Sequence, residues 1–183
     1  KNDVTKEEIN EFYKNKFYDY LDPLDYYQYS VEGNITYTAL LFIPKKAPYD
    51  LYSNKYEKGL QLYTKGVFIM DKCKELLPDY LRFVKGIVDS SDLSLNISRE
   101  MLQHDKQLTK IASNLEKKVV KHLQELQNDN PEVYKEFFEA LGINIKFGIY
   151  NSYGEKNDLL KGLLMYKTLN SDSLISLEDY VRE

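Results

Sequence analysis

The part of this sequence best placed to do chemistry is a polar run, Asp89-Ser90-Ser91-Asp92-Leu93-Ser94-Leu95-Asn96-Ile97-Ser98-Arg99-Glu100-Met101-Leu102-Gln103. It reads as a turn-forming loop that feeds the start of a helix. Arg99 falls in the first turn of that helix, where a cation sits badly beside the positive end of the dipole. A residue that breaks a local rule can mark function; the alternative is an ion pair with Glu100, Asp92 or another acid. Gln103 follows four residues later, so both side chains can project from one helical face.

Elsewhere the reactive side chains are sparse. The lone cysteine, Cys73, cannot form a disulfide framework or a cysteine-based zinc site by itself; it reads as a small core residue. His104 and His122 lie 18 apart without a Cys or carboxylate cluster at ligand spacing, so neither reads as a metal ligand. No Gly-rich phosphate loop, nucleophile elbow or HExxH pair is present. The sequence therefore carries no complete active site of its own.

The elements that must position the polar run follow from patterning. Thr5 is a good N-cap with Glu7 and Glu8 in the first turn, and Ile9, Phe12, Tyr13 and Phe17 make a stripe, so a helix is expected over 6–17. Asp22-Pro23 ends that unit. Residues 29–31 read as extended, Gly33-Asn34 as a turn, and 35–43 as a strand rich in β-branched and aromatic residues, closed by Pro44. A second long strand is expected over 60–70, with Gly66 as a bulge, and a weaker one over 81–88. From about residue 98 to 127, apolar positions recur in threes and fours and predict one long helix. Asn130-Pro131 opens another, with Val133, Phe137, Phe138 and Leu141 on its apolar face and Gly142 as its stop. Residues 143–150 are ambiguous, a helix is expected over 158–164, and Ser176 with Asp179 resembles a capping box for a last helix. Strands dominate before residue 90 and helices after it. The expected organisation is a larger α/β part over 1–129 and a smaller helical and α/β part over 130–183.

Composition excludes several classes. With 43% hydrophobic and 30% charged residues the chain suits a globular protein rather than a disordered one. A net charge of −4 is a poor basis for coating nucleic acid, and no apolar run approaches the ~20 residues that span a bilayer. The start at Lys1, polar and without Met, suggests a segment of a longer chain with no signal peptide in view. The 17 Tyr, 8 Phe and absence of Trp favour half-buried faces and interfaces. Lys106, Lys110, Lys117, Lys118 and Lys121 leave a stand-alone RNA- or protein-binding module as the alternative function; the solvated face of a long helix accounts for the same lysines.

The run 95–103, Leu-Asn-Ile-Ser-Arg-Glu-Met-Leu-Gln, resembles the catalytic loop of the middle domain of the heat-shock protein 90 chaperones. Val31-Glu32-Gly33, Leu40-Leu41-Phe42-Ile43-Pro44, Ala47-Pro48, Val67-Phe68-Ile69-Met70-Asp71, the run 78–86, Val88-Asp89-Ser90 and Ser176-Leu177-Glu178-Asp179-Tyr180-Val181 resemble that family's segments in the same order. The resemblance covers essentially the whole chain, and Lys58-Gly59-Leu60-Gln61-Leu62-Tyr63 looks more bacterial than eukaryotic.

The resemblance implies an α/β domain in two layered parts, the larger like the second domain of a ribosomal small-subunit protein. It implies a cytoplasmic chaperone segment that binds unfolded or partly folded client proteins and supplies Arg99 to the γ-phosphate of ATP, with Gln103 in support and Tyr20 as a client contact. ATP and Mg would belong to an N-terminal ATPase domain and homodimerisation to a C-terminal domain. This segment alone is then expected to be an inactive monomer without cofactor, metal, membrane or nucleic-acid partner. Two positions depart from the family pattern: Tyr20 stands where many members carry Trp, and Gly66 where many carry Arg.

Overall fold

The computed structural model describes residues 4–95, 99–169 and 171–182, with the side chains of Arg99, Ser171 and Asp172 outside that description. Helix α1, Lys6–Phe17, begins with a capping box. The Thr5 hydroxyl accepts from the Glu8 amide at 3.2 Å and the Glu8 carboxylate accepts from the Thr5 amide at 2.8 Å, so two orphan donors are satisfied reciprocally.

Strands β1 (Asp25–Val31), β2 (Tyr37–Ile43), β3 (Leu60–Thr64), β4 (Val67–Cys73) and β5 (Lys85–Ser90) form one sheet in the order β1-β2-β5-β3-β4. All neighbours are antiparallel except β3 and β5. Alternation along β2 sends Tyr37, Ala39, Leu41 and Ile43 into the main core, while Phe42 faces the other way. There it meets Tyr13, Phe17 and Tyr26, with ring centroids 5.0, 5.8 and 6.2 Å away. So α1 covers one face of the sheet and the later helices the other.

The single strand expected over 60–70 is a hairpin instead. Lys65 and Gly66 both have positive φ, 52° and 76°, as a tight two-residue hairpin tip demands. The irregularity expected at Gly66 falls inside β3, around Leu62. The weaker strand also shifts: Asp79–Leu81 is a 3-10 turn, and β5 starts at Lys85.

The long helix divides as well. A short helix α2, Arg99–Leu102, is followed by a turn and then α3, Lys106–Asp129. Asp105 makes the break, because its backbone is extended and its carboxylate caps α3 by accepting from the Leu108 amide at 2.8 Å. Leu108, Ile111, Leu115, Val119, Val120 and Leu123 are the buried stripe of α3.

Helix α4, Pro131–Asn151, runs straight through the expected stop at Gly142. That glycine lets Phe138 lie close, since a Cβ there would stand 2.7 Å from the Phe138 ring. The real stop is later: Tyr153 and Gly154 turn left-handed and the Gly154 amide donates back to the Ile149 carbonyl at 3.0 Å. Helix α5 (Asn157–Leu160), a hairpin of β6 (Met165–Thr168) and β7 (Ser171–Ser176), and α6 (Leu177–Arg182) complete the order. Ser176 caps α6 by accepting from the Asp179 amide at 3.1 Å. Residues on both sides of 129/130 share one buried cluster, with Phe83 and Phe137 rings 5.6 Å apart.

Candidate functional site

The polar run leaves the sheet at the end of β5. Ser90 is fully buried, and its hydroxyl donates to the Thr36 carbonyl at 2.8 Å. The Thr36 amide in turn donates to the Asp92 carboxylate at 2.6 Å. Beyond this stem, Leu93 and Leu102 are 3% and 2% exposed and both belong to the main core. Burying two leucine side chains contributes about 1.5–3 kcal/mol each, enough to fix the two ends of the segment between them.

Arg99 opens α2; its side chain, like residues 96–98, lies outside the described part. Of residues 93–97, only 93–95 are described. Gln103 stands exposed in the turn between α2 and α3 rather than on a continuing helix. The β3–β4 hairpin tip reaches the same neighbourhood: the Gly66 amide donates to the Asp89 carboxylate at 2.9 Å, and the other Asp89 oxygen is buried without a hydrogen-bond partner among the described residues. Space around Gly66 is open, but its positive φ would strain a side chain placed there.

Tyr20 lies far along the chain from this segment, in the connector after α1, and is 98% exposed. The connector is anchored from beneath. Asp19 accepts from the Tyr13 hydroxyl at 2.7 Å and from the Leu21 amide at 3.2 Å, and the Lys85 ammonium lies 3.7 Å away. Burial and the Asp19 carboxylate together push the Tyr13 hydroxyl well above the usual phenol range. With Asp19 drawn inward, Tyr18 and Tyr20 point out. The other aromatics nearby are packing residues: Phe17 and Tyr26 lie on Phe42, and Tyr27 stacks on His122 at 4.0 Å.

The remaining candidates are structural. Cys73 is buried, and burial with Glu75 beside it pushes its thiol up to about 12, far from the reactive range. His122 meets Asp25 at 2.7 Å. Of the α3 lysines, Lys118 lies over the Tyr29 ring and Lys121 pairs with Glu125. Among the described residues no group of three or more His, Cys, Asp or Glu side chains could hold a metal ion, and no helix is long and apolar enough to cross a membrane.

Comparison with known proteins gives this arrangement a frame. The family model described as Hsp90 protein matches residues 1–183. The chain belongs to the heat-shock protein 90 family. Similar relatives include the chaperone protein HtpG of Oceanobacillus iheyensis, 52% identical over 181 residues, and that of Bacillus subtilis, 49% identical over 181 residues. Each alignment takes in 99% of this chain and 29% of the relative, so the chain spans less than a third of the relatives' length. A solved structure, the middle domain of a Plasmodium falciparum heat shock protein, superposes with a TM-score of 0.82 at 30% identity, covering 98% of this chain and 70% of that one. The mixed α/β fold is thus that of a heat-shock protein 90 middle domain. Patterning by itself missed Thr36 and Asp19. Neither carries a motif, and both act through partners that the fold brings close.

Proposed function

We propose that the chain is the middle segment of an ATP-driven chaperone, and that Arg99 is the residue it contributes to catalysis. The observation that carries the reading is the family match over the entire chain, joined to a polar segment that leaves the sheet between two buried leucines and opens a helix at Arg99. In this reading ATP is the substrate and is held, with Mg, by an N-terminal domain outside this sequence. Phosphoryl transfer spreads negative charge over the γ-phosphate oxygens, and a guanidinium fork can meet two of them at once. An arginine delivered from a neighbouring domain couples turnover to domain docking. Gln103, exposed in the turn after α2, adds a neutral donor. Client proteins bind at exposed apolar surface that includes Tyr20, and a C-terminal domain makes the whole protein a cytoplasmic homodimer.

The test is ATP turnover by the longer chaperone that carries this segment. Arg99→Ala should lower kcat by roughly 10²–10³-fold, on the order of 3–4 kcal/mol, with little change in nucleotide affinity. Arg99→Lys should recover only part, because an ammonium lacks the planar fork. Gln103→Ala should cost less than Arg99→Ala, since a neutral hydrogen bond is the weaker one. Near-normal turnover per folded molecule, with a lowered melting temperature, would instead make Arg99 a structural ion-pair residue.

A further inference from the structure

The register of β2 against β5 ends with Tyr37 opposite Ser90. One step further would place Thr36 opposite Ser91, and that pair is not made. Instead the side chains of the departing strand take over both main-chain groups of Thr36. The Ser90 hydroxyl donates to its carbonyl at 2.8 Å, and the Asp92 carboxylate accepts from its amide at 2.6 Å, across 56 residues of sequence. Ser90 closes the arrangement by accepting from the Asp92 amide at 3.2 Å. The end of β2 is satisfied without the backbone of β5, so the chain can turn out of the sheet at residue 91. The aspartate carboxylate reaches the Thr36 amide while its own amide is held by the Ser90 hydroxyl.

We propose that Asp92, supported by Ser90 and Thr36, is a positioning residue that aims the segment bearing Arg99; this rests on the reading of Arg99 given above. Asp92 touches no reacting atom. It fixes where the chain leaves the sheet, while Leu93 and Leu102, buried in the core, hold the ends of the segment. Because the Thr36 amide needs an acceptor rather than a charge, an amide oxygen at the same reach serves, and a longer carboxylate does not.

The experiment uses the longer chaperone that carries this segment, with Asp92→Ala, Asp92→Asn and Asp92→Glu made both alone and on an Arg99→Ala background. ATP turnover, ATP affinity and melting temperature are measured for each. Asp92→Ala should lower kcat by about 10-fold with ATP affinity changed less than about 2-fold, as expected for a misplaced catalytic group. Asp92→Asn should stay within about 3-fold of the parent while Asp92→Glu stays low, because acceptor placement decides the effect. On the Arg99→Ala background, Asp92→Ala should add less than about 2-fold, since residues acting through one group are not additive. An equal loss in both backgrounds overturns the proposal, as does Asp92→Asn performing no better than Asp92→Glu. If Asp92→Ala does not fold, the Asn and Glu pair decides alone. Normal turnover in Arg99→Ala by itself would sink the underlying reading, and is seen without any change at residue 92.

Discussion

At the scale of single residues, the departure at Tyr20 from the aromatic common in the family bears on the client contact proposed for it. The connector holding Tyr20 is fixed from below by Asp19, so its exposure is built in rather than incidental. A phenol presents a broad apolar face at small conformational cost, which is why Tyr is effective at interfaces. Tyr20→Ala in the longer chaperone should therefore weaken binding of an unfolded model client by roughly 3–10-fold, the range of a moderate interface contact. Its melting temperature should stay near the parent's, as for most surface substitutions. Fluorescence anisotropy with a labelled client and thermal unfolding of the same variant check both halves, and unchanged client affinity would remove Tyr20 from the binding surface. The aromatic density around residues 17–27 could not separate this side chain from its neighbours in the sequence. Exposure sorts them, since Tyr27 is buried while Tyr18 and Tyr20 are not.

At the scale of elements, the glycines of α4 serve close packing rather than termination. Neither Gly142 nor Gly148 stops the helix; both let another group come close. A Cβ on Gly148 would lie 2.7 Å from the Tyr80 ring and 2.9 Å from a Leu160 methyl. Tyr80 has little room to yield, because its hydroxyl donates to Glu116 at 2.7 Å, and Glu116 also receives Lys156 at 2.6 Å. Helix propensity alone favours alanine over glycine by about 1 kcal/mol. Overpacking against a held ring costs roughly 1–3 kcal/mol, so Gly148→Ala should destabilise on balance, shifting the denaturation midpoint downward at unchanged slope. A midpoint that rises would mean Tyr80 gives way more easily than its hydrogen bond to Glu116 suggests. The split of the long helix at Asp105 has the same lesson. No apolar residue falls between Leu102 and Leu108 to carry the helical stripe across, and an aspartate in that gap offers the backbone a cap, so the capped start wins over propagation of the helix.

At the scale of the whole molecule, this chain is one part of a machine that, under the proposed function, divides catalysis between domains. The isolated segment has no phosphate-binding loop, so calorimetric titration with ATP should find no site tighter than about 100 µM, near −5.5 kcal/mol. A tighter site would contradict a split active site. It should also sediment as a monomer at micromolar concentration, because no heptad seam runs long enough to dimerise it; a stable dimer would overturn that expectation.

Much of this protein is set by local physics that a sequence displays. The capping box at Thr5, the strand at 37–43, the amphipathic stripe of α3, Pro131 at a helix start and the Ser176 cap all depend on residues within a turn or two of one another. The order of motifs also sufficed to place the chain in its family, and the roles of Arg99 and Gln103 rest on that placement as proposals. What only the tertiary structure decided depends on contacts between distant residues. The 60–73 region folds back as a hairpin because Lys65 can take a positive φ at its tip, a choice that apolar patterning does not encode. The parallel pairing of β3 with β5, the approach of Lys85 on β5 to Asp19 and the clamp of Asp92 on Thr36 join residues with no periodic relation. Such bonds arise only after the sheet has fixed its register, and so the direction in which the Arg99 segment leaves it belongs to the fold rather than to any stretch of sequence.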